Sequence, residues 1–190
     1  MKRFLTDKLV EWKNSKYRKP LILRGARQVG KTYILKNFAN TYYDNMAYFN
    51  FDHDASLAEL FVSTKDPKRI IEQLSFVVGR KIESANTLII FDEVQECPDA
   101  LNSLKYFAEE TPEYHIVAAG SLLGIKLSHT SFPVGKVDYL TLYPMTFSEF
   151  LLADGKENLV HYMKSIKEVQ EIPKIFDDQL IEQLKKYYII

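Results

Sequence analysis

No disulfide can form within this chain, because Cys97 is its one cysteine. A lone thiol suits a reducing compartment, so the expected location is cytoplasmic. No apolar run approaches the ~18 residues of a membrane span. The start, MKRFLTDKLVEW, carries acidic Asp7 and Glu11 and no small-residue cleavage site, so it does not read as a signal peptide. His53, His115, His129 and His161 show no metal-ligand spacing with Cys97 or with one another. His115 reads as the start of a strand and Cys97 as structural. Arginine is also unevenly spread: none follows Arg80.

The chain has no net charge, but the two signs are separated. Residues 1–36 carry eleven Lys or Arg against Asp7 and Glu11, a net +9, and the remainder carries −9. The basic segment includes a glycine-containing loop, so part of its charge suits an anionic ligand. The rest reads as solvated helix surface. Nucleic-acid binding stays open on this segment, but the neutral total and the lack of a recognised nucleic-acid module do not favour it.

With 190 residues, of which 46% are hydrophobic, the chain has enough apolar material for one domain plus an appendage. Leu5, Leu9 and Trp12 recur at helical spacing within 3–15. Strands are expected at 21–23, 47–51, 88–91, 116–119 and 137–142. Helices are expected at 31–40, 55–62, 67–79 and 99–110, with 122–136 a loop or broken helix. Thr146-Phe147-Ser148-Glu149 is a capping box, and further helices follow at 157–168 and 174–189. Strands alternating with helices imply a three-layer α/β sandwich around a mostly parallel sheet. The division expected is a core over 1–145 and a helical extension over 146–190.

Gly25-Ala26-Arg27-Gln28-Val29-Gly30-Lys31-Thr32 matches G-x-x-x-x-G-K-[ST] in full, between an apolar strand and an amphipathic helix. Glycines let such a loop curl its N–H groups onto phosphate oxygens, and the helix from Lys31 adds its positive end. Lys31 is expected on the β- and γ-phosphates and the Thr32 hydroxyl on Mg²⁺. Arg27 either touches a phosphate or is a surface loop residue. Leu88 to Phe91 is an apolar run that ends in Asp92 and Glu93. Asp92 is expected to hold Mg²⁺ through water, and Glu93 to act as general base on the attacking water. Acidic pairs after strands also serve simply as helix caps. Ser121, at the end of the next strand, is placed to sense the γ-phosphate or orient the water, with an ordinary turn serine as its rival. Gln95 is read as bonding within the turn, and Tyr33 as packing on the surface or core rather than on a base. No Asn-Lys-x-Asp motif is present to read guanine, so ATP is favoured over GTP.

LILRGARQVGKTYILKNFA, TLIIFDEVQ, IVAAGSLLGIKL and SFPVGKVDYLTLYPMTFSEFL, in this order, resemble the prokaryotic AAA-domain P-loop ATPases that carry a C-terminal domain of unknown function. The resemblance covers most of the chain. It implies a five-stranded sheet in the order 5-1-4-3-2, binding of ATP with Mg²⁺, and hydrolysis. It places nucleotide contacts on Gly25 to Tyr33, Asp92, Glu93 and Ser121. Members are longer, so this chain is expected to lack a C-terminal domain. An arginine finger would normally lie downstream of the acidic strand. Lys126 and Lys136 substitute only partly, because lysine lacks the planar fork, so the expected isolated activity is slow. The expected partner is an attached domain or another protein. A motor on nucleic acid and a small-molecule kinase are the competing readings.

Overall fold

The structure is a computed structural model that describes residues 3–54, 56–121, 135–168 and 171–189. The segment expected as a loop or broken helix at 122–136, including Lys126, lies largely outside the described residues. The chain divides into two compact units: residues 7–143, and residues 1–6 together with 144–190.

The larger unit carries the sheet. Strands β1 (Leu21–Arg24), β2 (Asn45–Asn50), β3 (Thr87–Asp92), β4 (His115–Gly120) and β5 (Asp138–Thr141) stand in the order β2-β3-β4-β1-β5. All four pairings are parallel. This is the 5-1-4-3-2 order that the resemblance implied. Every residue of β3 and β4 is buried, as a strand covered on both faces requires. Helices α3 (Ser56–Ser63), α4 (Pro67–Val77) and α5 (Pro98–Glu110) contribute Phe61, Ile70, Leu74, Leu104 and Phe107 to a core shared with Ile22, Phe49, Ile89, Phe91, Ile116 and Ala118. Phe61 meets Phe91 edge-on, with ring centroids 5.4 Å apart. Helix α2 (Lys31–Tyr42) packs against β2, β3 and β4, and buries Ile34, Leu35 and Phe38.

β2 starts two residues earlier than its apolar run, because Asn45 and Met46 pair in register with Thr87 and Leu88. Helix α1 (Leu5–Asn14) buries Leu9 and Trp12, the spacing expected of it. His115 does open β4, and the Tyr43 hydroxyl lies 2.7 Å from its Nδ1. Burial, with Arg18 and Lys13 nearby, pushes the His115 pKa down to about 4, so it is neutral at pH 7. Cys97 is buried, and burial pushes its thiol pKa up, as suits a structural thiol.

The smaller unit contains α6 (Phe147–Ala153), α7 (Glu157–Ser165) and α8 (Lys174–Tyr187). The capping box is present: the Glu149 N–H donates to Thr146 Oγ1 at 3.2 Å, and the Thr146 N–H donates to Glu149 Oε2 at 2.9 Å. Glu149 Oε1 also accepts from the Phe4 N–H at 2.8 Å and Arg3 Nε at 3.0 Å. This ties the first residues to α6.

Burial alone would raise the Glu149 pKa, but the bonds from Thr146, Phe4 and Arg3 outweigh it and hold the pKa below its ordinary value. A carboxylate with a depressed folded pKa stabilises above its unfolded pKa, about 4.3, and that contribution disappears as pH falls through the folded value. Glu149→Gln is expected to cost about 3 kcal/mol at pH 7, because it replaces the buried carboxylate that pairs with Arg3 by a neutral amide. Denaturant unfolding across pH checks this. The difference between variant and wild type should shrink in acid, and a difference constant from neutral to acid pH would reject the ion-pair explanation.

Among the described residues no helix is long and apolar enough to cross a membrane.

Candidate nucleotide site

The site lies at the carboxyl ends of the parallel strands, where ligands bind in open α/β sheets. β1 leads directly into the glycine loop. A Cβ on Gly25 would sit 2.4 Å from the Leu142 carbonyl oxygen, so no larger residue fits there without moving the backbone after β5. Gly30 has φ +92°, a left-handed conformation that a side chain would oppose, and it caps α2. Gln28 also takes a left-handed φ of 63°. Loops of this kind aim successive N–H groups inward and make anion-binding concavities.

Lys31 opens α2 and is 6% exposed. Its ammonium donates to the carbonyls of Gly25 at 3.0 Å and Ala26 at 2.7 Å, so it braces the loop from below. Burial lowers the Lys31 pKa, and Glu93 and Asp92 oppose that shift. The next residue, Thr32, donates its hydroxyl proton to Asp92 Oδ2 at 2.7 Å. The loop and the acidic strand, sixty residues apart, therefore meet through a direct bond.

Asp92 is 1% exposed and accepts three hydrogen bonds. Besides Thr32, the Tyr48 hydroxyl donates to Oδ2 at 2.9 Å and the Glu93 N–H to Oδ1 at 3.1 Å. Burial pushes the Tyr48 pKa up to about 12, so the phenol is a proton donor throughout the physiological range. Glu93 follows in a left-handed conformation, φ 50° and ψ 42°, before a short 3₁₀ turn over Val94–Glu96. Such a conformation costs a non-glycine residue about 1–3 kcal/mol and tends to be kept at functional sites. Gln95 bonds within this turn, as expected, and its Nε2 donates to the Glu93 carboxylate.

Arg27, Gln28, Gly30, Lys31, Thr32, Tyr33 and Glu93 line one cleft of about 580 Å³, together with Asp52, Gln95 and Glu96. That volume is within the range of small-molecule sites. Gly25, Ala26, Val29 and Asp92 are not among the cleft-lining residues. Ser121 is buried and follows Gly120, which pairs with Arg24, but it is not among the cleft-lining residues. Lys136 is paired with Glu109 at 3.0 Å. Sequence reasoning did not single out Tyr48, Asn50, Asp52 or Glu96. For Tyr48 and Asn50 a signal exists: they put two polar side chains on one face of a strand adjoining the acidic strand.

The donors suit the expected ligands. Thr32 and Asp92 offer hydroxyl and carboxylate oxygen, the hard ligands Mg²⁺ takes in small number while keeping waters and phosphates. Because Thr32 gives its proton to Asp92, its oxygen lone pairs remain available to a cation. No group of three or more His, Cys, Asp or Glu that could hold a metal occurs among the described residues.

The family model for the AAA domain matches residues 17–151, most of the chain. The chain belongs to the AAA domain family. It is an AAA-type P-loop ATPase domain, and nucleotide binding is the property this family implies. Among solved structures, this AAA domain is similar to Drosophila ORC bound to DNA, with TM-score 0.52 and 16% identity over 84% of this chain and 48% of that one. It also matches the Aeropyrum pernix ORC1 protein in complex with DNA (TM-score 0.48, 16% identity, 80% and 47% covered). A third match is C. elegans PCH-2 (TM-score 0.45, 15% identity, 90% and 47% covered). The AAA domain thus spans about half the length of these chains, and at such identity the likeness to the Drosophila protein is one of fold. No curated protein sequence matches the chain significantly.

Proposed function

We propose that this AAA domain binds ATP with Mg²⁺, hydrolyses it slowly, and couples its nucleotide state to an attached domain or partner protein. The observation that carries the reading is the Thr32–Asp92 bond beside a cleft lined by Lys31 and Glu93. Loop N–H groups and Lys31 bind the phosphates, and Thr32 and Asp92 hold the cation, directly and through water. The cation, when bound, offsets the negative charge that builds on the phosphates. Glu93 accepts a proton from the attacking water, and Gln95 steadies its carboxylate. Ser121 is assigned to the γ-phosphate end. The lone buried Cys97 is consistent with a cytoplasmic setting.

One component of a fast ATPase is missing from the downstream sequence, which has no arginine beyond Arg80. Lys136 is engaged with Glu109, so it is a poor substitute. An arginine finger is worth ~10³–10⁵ in rate. The 190-residue chain is therefore expected to bind MgATP and turn it over slowly, with specific activity rising with protein concentration if a second copy donates a cation. Arg27, which lines the cleft, is the cation the same chain would offer in place of a finger. Steady-state phosphate release at saturating MgATP over a wide protein range tests this. Fast turnover independent of concentration would overturn the view that the site is incomplete.

A further inference from the structure

We propose that Tyr48 is a positioning residue for the divalent cation: its hydroxyl fixes the Asp92 carboxylate against Thr32 and so sets the Mg²⁺ affinity of the site. The proposal rests on the MgATP reading above. β2 pairs with β3 so that Asn50 lies opposite Asp92 and Tyr48 opposite Ile90. From that register the Tyr48 ring reaches forward, and its hydroxyl donates to Asp92 Oδ2 at 2.9 Å. The same oxygen accepts the Thr32 proton at 2.7 Å. The phenol oxygen in turn accepts from Asn50 Nδ2 at 3.3 Å. A single chain of donors thus runs from Asn50 through Tyr48 to Asp92, with Thr32 joining from the other side.

The ring has a second attachment. The Lys36 ammonium lies 3.7 Å from its centroid. Lys36 is four residues beyond Thr32, one turn along α2, so ring and ammonium tie the helix that carries Thr32 to the strand that carries Tyr48. An ionised carboxylate has about four acceptor positions. Tyr48, Thr32 and the Glu93 N–H fill three of those on Asp92, which leaves one on Oδ1 for a cation-bound water. A carboxylate held this way has little orientational freedom to lose when a cation arrives. Removing such outer partners typically costs 10–100-fold in metal affinity.

Tyr48→Phe keeps the ring, its packing and the Lys36 contact, and removes only the hydroxyl. The measurement is binding of a fluorescent, non-hydrolysable ATP analogue to the 190-residue chain, titrated with Mg²⁺ and repeated in EDTA. The Mg²⁺ concentration for half-maximal tightening is expected to rise about tenfold or more. Affinity in EDTA should stay within about twofold, because Tyr48 is not a cleft-lining residue. Lys36→Met keeps the hydroxyl and loosens the clamp, and should shift the Mg²⁺ midpoint the same way by less. An unchanged midpoint in Tyr48→Phe overturns the proposal. So does an equal loss of affinity with and without Mg²⁺, which marks general damage to the fold. If Tyr48→Phe does not fold, an unchanged midpoint in Lys36→Met overturns it. A wild-type chain whose analogue binding ignores Mg²⁺ would instead overturn the MgATP reading itself.

Discussion

Lys31→Ala is expected to weaken MgATP binding by about 10²-fold or more while the domain stays folded. A hydrogen bond to a charged group is worth about 1.5–3 kcal/mol, and in the proposed reading the ammonium makes more than one to the phosphates. It is 6% exposed, and its bonds to the Gly25 and Ala26 carbonyls keep it beneath the loop. Its surroundings also define the control. Removing the ammonium leaves those two carbonyls without that donor, so some local loosening of the loop accompanies the lost charge. Lys31→Arg retains the charge, but its planar fork does not fit the geometry of a compact ammonium. Both variants should bind poorly, and circular dichroism should show both folded. Wild-type affinity in a folded Lys31→Ala chain would remove the phosphate loop from the binding site.

Glu93→Gln should show the opposite separation, with MgATP still bound and turnover reduced by about 10²–10⁴, the usual contribution of a positioned general base. The amide is nearly isosteric with the carboxylate and leaves the 3₁₀ turn its backbone bond from the Glu96 N–H to the Glu93 carbonyl, 3.0 Å. Its side-chain oxygen still accepts from Gln95. What it cannot do is take a proton from water. Single-turnover measurements with excess protein make the comparison independent of product release. Turnover equal to that of the wild type would mean that another group activates the water, with Asp52 and Glu96 in the same cleft as the first to examine.

Much of the fold was legible because the central strands are continuous apolar runs. Leu21–Leu23, Leu88–Phe91 and Ile116–Ala119 are wholly buried, and uninterrupted hydrophobicity is what two covered faces demand. The less certain boundaries belong to edge strands. β2 begins with polar Asn45, and β5 is partly exposed, so pairing rather than hydrophobicity defines their ends. The turn after β3 was not anticipated as a 3₁₀ helix. Its form depends on Glu93 adopting a left-handed backbone, which residue type does not favour.

Local spacing by itself determined the glycine loop, the lysine and threonine at the start of α2, and the acidic pair after an apolar strand. Each is a short covalent arrangement whose geometry follows from a turn, a helix or a strand end. Only the tertiary structure decided which of these groups touch. β1 and β3 are not neighbours; β4 lies between them. The Thr32–Asp92 bond therefore depends on the parallel crossovers that return each strand's carboxyl end to the same side of the sheet. The same register brings Tyr48 to Asp92 from a strand that carries no recognisable motif. Spacing along the chain reports neighbours within one element, whereas contacts between elements follow from strand order and register.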